Sequence, residues 1–171
     1  VVPNTVAKKT GSNRTFNKGD KITYWGDKEI NHAKATIEKW RDAGVLCLGF
    51  VNYNMQWNCD TGWPWHKSKP KDMGKHVDMV YHMIKPLYDE VKYWEIWNEP
   101  WVGGWTWQTG TGQDYRDMCR MIWDRLKPEM PELKIIGGGS TPYQRDVLFA
   151  LNTKNAGYVD GTSSHPYGKP D

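Results

Sequence analysis

Short apolar runs alternate with segments of helical spacing along this chain, and this alternation limits its fold more than any other feature. The runs cover residues 22–25, 45–51, 91–97, 133–136 and 158–163. A strand followed by a helix, repeated several times, is typical of parallel βαβ units. The sequence therefore predicts an α/β fold, either an open doubly wound sheet or a closed barrel.

Three helices are predicted between these strands from apolar residues that recur at helical spacing. The first runs from Asp27, a candidate N-cap, to a stop at Gly44. The apolar positions of the second are Met73, Val77, Val80, Ile84 and Leu87. Those of the third are Tyr115, Met118, Cys119, Ile122 and Leu126, with Pro128 as its stop. A short helix is predicted over 143–151. Residues 1–20 are polar and predict an extended lead-in, which leaves 21–171 as one domain.

The bulk properties exclude several classes of protein. With 171 residues the chain is long enough for one domain with a real core. The net charge is +3 and the charges of both signs are interspersed, which argues against binding to nucleic acid or to a membrane surface. The sequence has no run of apolar residues long enough to cross a membrane.

Neither cysteine nor histidine spacing predicts a metal site, and no organic cofactor is expected either. The chain has three cysteines, Cys47, Cys59 and Cys119, so at most one disulfide can form. His32, His76 and His82 are predicted to lie on helix surfaces, whereas His66 could touch a ligand. The glycines at 137–139 lack the G-x-G-x-x-G order, which argues against a dinucleotide loop. They either bring the backbone close to a ligand or form a plain loop.

Polar side chains follow the predicted strands at the edge where parallel α/β proteins build their sites. They are Asn52, Tyr53, Asn98, Glu99, His165 and Tyr167, and the connections add Trp57, Trp63, Trp65, Trp101, Trp105 and Trp107. The chain holds 11 Trp and 9 Tyr but only 3 Phe. Trp and Tyr combine an apolar face with a polar edge, which suits sugar rings and protein interfaces alike. The pattern predicts a carbohydrate site, although composition alone leaves both ligand classes open.

Glu99 is the carboxylate best placed for acid–base chemistry. It follows a buried strand and lies among indoles, surroundings that disfavour its ionised form and favour a proton donor. By position alone it could equally cap a helix or lie on the surface. Glu95 is four residues deeper on the same side, and we expect it to be buried in a structural ion pair. Pro166 favours an extended backbone, which keeps His165 and Tyr167 on one edge.

Three motifs together resemble glycoside hydrolase clan A. Residues 95–100 (Glu-Ile-Trp-Asn-Glu-Pro) resemble the end of that clan's fourth strand. Residues 134–138 resemble its fifth strand, and 164–167 (Ser-His-Pro-Tyr) resemble its sixth-strand exit. The motifs occur in order and the resemblance covers residues 20–170. It is nearest in style to families 39 and 51, with cellulase-like families also open.

The resemblance implies a retaining glycosidase with a (β/α)8 TIM-barrel fold. Glu99 would be the general acid/base and Asn98 the partner of the substrate's 2-hydroxyl, with His165 and Tyr167 around the cleaved sugar. Further substrate contacts are expected from Asn52, Tyr53, Trp57, Trp101 and Trp105. The substrate would be a polysaccharide or glycoside. We expect a secreted or extracellular protein, and any export signal would already have been removed from this sequence.

The resemblance also implies that the barrel is incomplete. Roughly strands 2 to 6 are represented, while the clan places its nucleophilic Glu at the end of the seventh strand. Neither Asp160 nor Asp171 is expected to replace that Glu. The expected partner is the remainder of the barrel or a second copy of the chain. The alternative function is a non-catalytic carbohydrate-binding domain on the same scaffold.

Overall fold

A computed structural model describes residues 27–59, 68–100, 106–140 and 158–165 of the chain. Its strands are β1 (Leu48–Val51), β2 (Tyr93–Ile96), β3 (Lys134–Ser140) and β4 (Gly161–Ser164). Its α-helices are α1 (Asp27–Asp42), α2 (Met73–Ile84) and α3 (Gly112–Leu126), and short 3-10 helices cover Gln56–Asn58 and Lys85–Leu87. The predicted strand at 22–25 and helix at 143–151 lie outside the described residues. None of the described helices is long and apolar enough to cross a membrane.

The four strands form one parallel sheet whose spatial order is the order of the chain, β1-β2-β3-β4. Trp94 of β2 is in register with Gly49 of β1 and Ile135 of β3. Helix α2 connects β1 to β2, and α3 connects β2 to β3. The predicted parallel α/β fold is therefore confirmed.

Local signals fix the helix ends. The Asp72 carboxylate accepts a hydrogen bond from the Lys75 amide at the start of α2, at 3.0 Å. Thr111 and Asp114 form a reciprocal capping box at the start of α3. Gly44 has a φ of 79°, and the amide of the next residue, Val45, bonds back to α1 in a Schellman turn, so the predicted stop at Gly44 is confirmed.

The two faces of the sheet have different surroundings. Trp94 and Ile96 lie on one face, in a buried cluster shared with apolar side chains of α2 and α3. The Trp94 indole covers Gly49, where a Cβ would come within 2.4 Å of the ring, so only glycine fits there. Alternation places Glu95 on the other face. Its register neighbours there, Phe50 and Ile136, are only half-buried.

Two strand predictions need correction. The apolar run 45–51 predicts a strand of that length, but β1 begins at Leu48 and Leu46 is 82% exposed. The reason is that Val45 completes the turn that ends α1, and β1 has a described neighbour on one side alone. The glycines at 137–139 are not a plain loop, because they belong to β3 and continue its parallel pairing with β4 across an irregularity.

The prediction that His76 lies on a helix surface is wrong. The side chain is wholly buried, and its ring centre lies 5.7 Å from that of Trp97. His76, Val80 and Met83 are spaced four and three residues apart and therefore lie on one face of α2. The face that buries Val80 and Met83 also buries the imidazole of His76. Neither ring nitrogen has a hydrogen-bond partner among the described residues, and burial lowers the pKa of His76 to about 4.

Candidate active site

Three non-glycine residues with left-handed backbone lie just beyond β1 and β2. Tyr53 follows β1 with a φ of 62°, and Trp97 and Glu99 follow β2 with φ of 69° and 43°. Such conformations cost about 1–3 kcal/mol each, and they cluster at functional sites. They single out the carboxyl edge of the sheet as the place to look for chemistry.

Glu99 and His165 meet at this edge, although 66 positions separate them in the sequence. His165 directly follows β4, and its Nδ1 lies 2.9 Å from Oε1 of Glu99. Glu99 is only 7% exposed, which makes it a buried carboxyl group with an imidazole partner. Such a pair can hold a proton and move it.

Glu95 faces the other nitrogen of the same imidazole. Its Oε1 lies 3.4 Å from Nε2 of His165 and accepts a hydrogen bond from the Ser163 hydroxyl at 2.8 Å. Glu95 is 5% exposed, so it is buried as the sequence indicated. The imidazole of His165 is thus set between two buried carboxyl groups, one from β2 and one from the segment that follows it.

Hydrogen bonds from residues later in the chain hold the backbone that carries Glu99. The Thr106 hydroxyl donates to the carbonyl oxygen of Glu99, and the Thr106 carbonyl accepts from the Trp97 indole at 2.9 Å. The Tyr115 hydroxyl of α3 donates to the carbonyl oxygen of Ile96 at 2.6 Å. Sequence patterns placed Tyr115 on the apolar face of its helix but revealed neither its hydrogen bond nor those of Thr106, because hydrogen bonds between distant segments follow no period. These hydrogen bonds hold the left-handed backbone of Trp97 and Glu99 in place.

The amide side chains at the edge differ in their partners. Asn98 donates from Nδ2 to the Tyr53 hydroxyl at 3.2 Å, and the Tyr53 ring packs edge-on against Trp97. The Oδ1 of Asn52 is buried and has no hydrogen-bond partner within the described ranges. Asn52 therefore offers an acceptor that a hydroxyl group could satisfy.

The aromatic residues expected around the site have different locations. Trp57 is half-buried in the 3-10 turn after β1, with Nζ of Lys75 5.9 Å from its ring centre, so it lies against the start of α2. Trp107 is buried and packs edge-on against Trp97, which makes it a core residue. The remaining candidates lie outside the described residues: Trp63, Trp65, His66, Trp101, Trp105 and Tyr167.

Asp160 lies at the opposite edge of the sheet, before β4. Its Oδ2 accepts hydrogen bonds from Nζ of Lys127 at 2.7 Å and from the Ile135 amide at 2.8 Å. Burial would raise the pKa of Asp160, but these two donors hold it below its ordinary value. This is the geometry of a structural ion pair, remote from Glu99. Across the described ranges, no group of His, Cys, Asp or Glu side chains is arranged to hold a metal ion.

The described residues define a parallel α/β protein with a carboxyl–imidazole cluster at the carboxyl edge of its sheet. No protein-family profile matches the sequence, and no curated protein matches it. Among solved structures, a glucosidase from Croceicoccus marinus is similar, with a TM-score of 0.50 and 17% identity. The similarity covers 70% of this chain and 26% of that one, so the chain spans about a quarter of that protein's length. At this identity the likeness is one of fold.

Proposed function

We propose that the protein is a retaining glycoside hydrolase that cleaves O-glycosidic bonds in a polysaccharide or glycoside, with Glu99 as its general acid/base. The observation that carries the proposal is the buried Glu99 carboxyl group with Nδ1 of His165 2.9 Å away. Protonation of a glycosidic oxygen needs a carboxylic acid that keeps its proton until the substrate arrives. A carboxyl group that is shielded from water and in contact with an imidazole is placed to transfer a proton.

The same proposal makes β1–β4 the third to sixth strands of a (β/α)8 barrel. A doubly wound sheet reverses its strand order at a switch point, whereas β1–β4 keep the order of the chain. The half-buried Phe50 and Ile136, beside Glu95, would face the barrel interior and be covered when further strands close it. The likeness to a glucosidase fold supports this arrangement.

In the proposed mechanism Glu99 acts twice. It first donates its proton to the leaving oxygen while a carboxylate nucleophile attacks the anomeric carbon, and the resulting Glu99 carboxylate then accepts a proton from the attacking water. We assign the nucleophile to the remainder of the barrel, at the end of the strand after β4. Asn98 and Asn52, whose buried Oδ1 has no hydrogen-bond partner among the described residues, would bind sugar hydroxyls.

Hydrolysis of aryl glycosides by wild type and by Glu99→Gln tests the assignment. We expect the variant to lose about 10²–10⁴-fold in kcat/KM with poor leaving groups, since these need protonation, and less with activated ones. Glu38→Gln, a change at an exposed carboxylate of α1, is the matched control. Turnover that Glu99→Gln leaves unchanged would refute the role of Glu99. Sugar binding without turnover by the wild-type protein would favour the carbohydrate-binding alternative.

A further inference from the structure

We propose that Glu95 is a positioning residue that acts through His165 to keep a proton on Glu99. The inference rests on the proposed function and extends it from the acid itself to the groups behind it. It concerns the series Ser163–Glu95–His165–Glu99, which joins β4 to β2 across the face of the sheet that does not carry Trp94. Its first and last links are hydrogen bonds, and its middle link is the 3.4 Å contact between Glu95 and Nε2 of His165.

The geometry places one ring nitrogen of His165 against each carboxyl group. Nδ1 lies 2.9 Å from Glu99 and Nε2 lies 3.4 Å from Glu95, and both carboxyl groups are almost wholly buried. Among the described residues, these two are the ionisable groups that contact the imidazole. A neutral imidazole has a single N–H, so it can donate to one carboxyl group only.

The Ser163 hydroxyl distinguishes the two carboxyl groups. It donates a hydrogen bond at 2.8 Å to Oε1 of Glu95, so the oxygen that faces Nε2 of His165 is already an acceptor. An ionised Glu95 attracts the imidazole proton to Nε2, which leaves a lone pair on Nδ1. That lone pair can accept a hydrogen bond from Glu99 only when Glu99 is protonated, so the arrangement favours the acid form of Glu99.

The opposite tautomer would work against catalysis. An N–H at Nδ1 would donate to Glu99 and favour its carboxylate, while the lone pair on Nε2 would face the negative Glu95. The proposed arrangement therefore has one proton on Nε2 of His165 and another on Glu99. Glu99 releases its proton to the leaving oxygen in the first step and regains one from water in the second, and the Nδ1 lone pair favours its retention each time.

The tautomer of His165 and the kinetics of Glu95→Gln test this proposal together. In the wild-type protein, ¹⁵N chemical shifts of His165 should report a proton on Nε2. Glu95→Gln removes the charge and should raise the population with a proton on Nδ1. It should also lower kcat for poor leaving groups by about 10-fold to 100-fold, the effect usual for a residue behind a functional group. KM should change little, because Glu95 is not placed to touch substrate.

Three further variants separate the possible outcomes. Glu95→Asp keeps the charge and should retain more of the Nε2–H tautomer than Glu95→Gln, and the exposed Glu38→Gln should change neither readout. If Glu95→Gln does not fold, Ser163→Ala decides: a smaller shift in the same direction supports the proposal, and no shift overturns it. An Nδ1–H tautomer or a doubly protonated imidazolium in wild type also overturns it, because each donates from Nδ1 to Glu99. An active protein indifferent to Glu99→Gln refutes the proposed function instead, whatever His165 shows.

Discussion

At the scale of single residues, the main problem is to keep Glu99 in a backbone conformation that a side chain disfavours. Trp97 and Glu99 both have positive φ, and each contacts Thr106 through a hydrogen bond. Thr106 is fully buried, so its hydroxyl and carbonyl groups have exchanged water for these partners. Thr106 therefore has a structural role beside the proposed acid that its type and position in the sequence do not suggest.

Thr106→Val tests this role. The substitution keeps the shape of the side chain but removes the donor to the Glu99 carbonyl oxygen, which is left buried without that partner. We expect the free energy of unfolding, measured by urea denaturation, to fall by about 1–3 kcal/mol. Thr106→Ser keeps the hydroxyl and should lose less. Equal stability of Thr106→Val and wild type would show that the hydrogen bond does not hold this segment.

Part of the site could be foreseen residue by residue. Glu99 and His165 each end a strand, and parallel topology brings strand ends to one edge. The burial of Glu95 follows from strand alternation, and the structure adds its contact with His165. The hydrogen bonds of Thr106 and Tyr115 could not be foreseen, since they depend on how distant segments pack.

At the scale of elements, α2 shows how one helix face can carry a titratable group into the core. Its buried positions include Val77, Val80 and Ile84, as the apolar spacing predicted, but also His76. The imidazole packs beside Trp97, the residue that precedes Asn98 and Glu99 in the sequence. The apolar period predicts the long helices well, whereas the start of β1 depends on the turn after α1 and is harder to foresee.

The burial of His76 predicts how stability depends on pH. The folded-state pKa is about 4 against 6.5 for the ordinary side chain, so below pH 6.5 the unfolded chain binds a proton that the folded chain does not. Stability should therefore fall as the pH drops from 6.5 to about 4, by up to about 3 kcal/mol from this group. Urea denaturation at about pH 7.5, above this window, and at about pH 4.5, near its lower end, measures the fall in the free energy of unfolding.

His76→Met isolates the contribution of the buried imidazole from that of the carboxylates. The pH-dependent loss should be smaller in this variant, because Met fills a similar space without binding a proton. His82→Gln changes an exposed histidine of the same helix and should leave the loss as it is in wild type. An identical pH dependence in wild type and His76→Met would mean that folding does not lower the pKa of His76.

At the scale of the whole molecule, the sheet has one face covered by helices and one that bears Glu95. Ile135 and Ile136 are adjacent in β3 and sample both faces: Ile135 is fully buried in the helix-packed core, while Ile136 is half-buried. In the barrel that we propose, further strands would cover Ile136 as completely as helices cover Ile135. The two isoleucines thus make an internal comparison.

Ile136→Ala should therefore destabilise the complete protein about as much as Ile135→Ala, by about 2–5 kcal/mol each, because both would empty a closed core. If the sheet stays open on the Glu95 face, water already reaches Ile136 and its truncation should cost roughly half as much. Leu46→Ala, at an exposed position, should cost less than about 0.5 kcal/mol. Urea denaturation of the three variants separates the cases. A small effect of Ile136→Ala beside a large one of Ile135→Ala would argue against barrel closure while leaving the Glu99–His165 pair untouched.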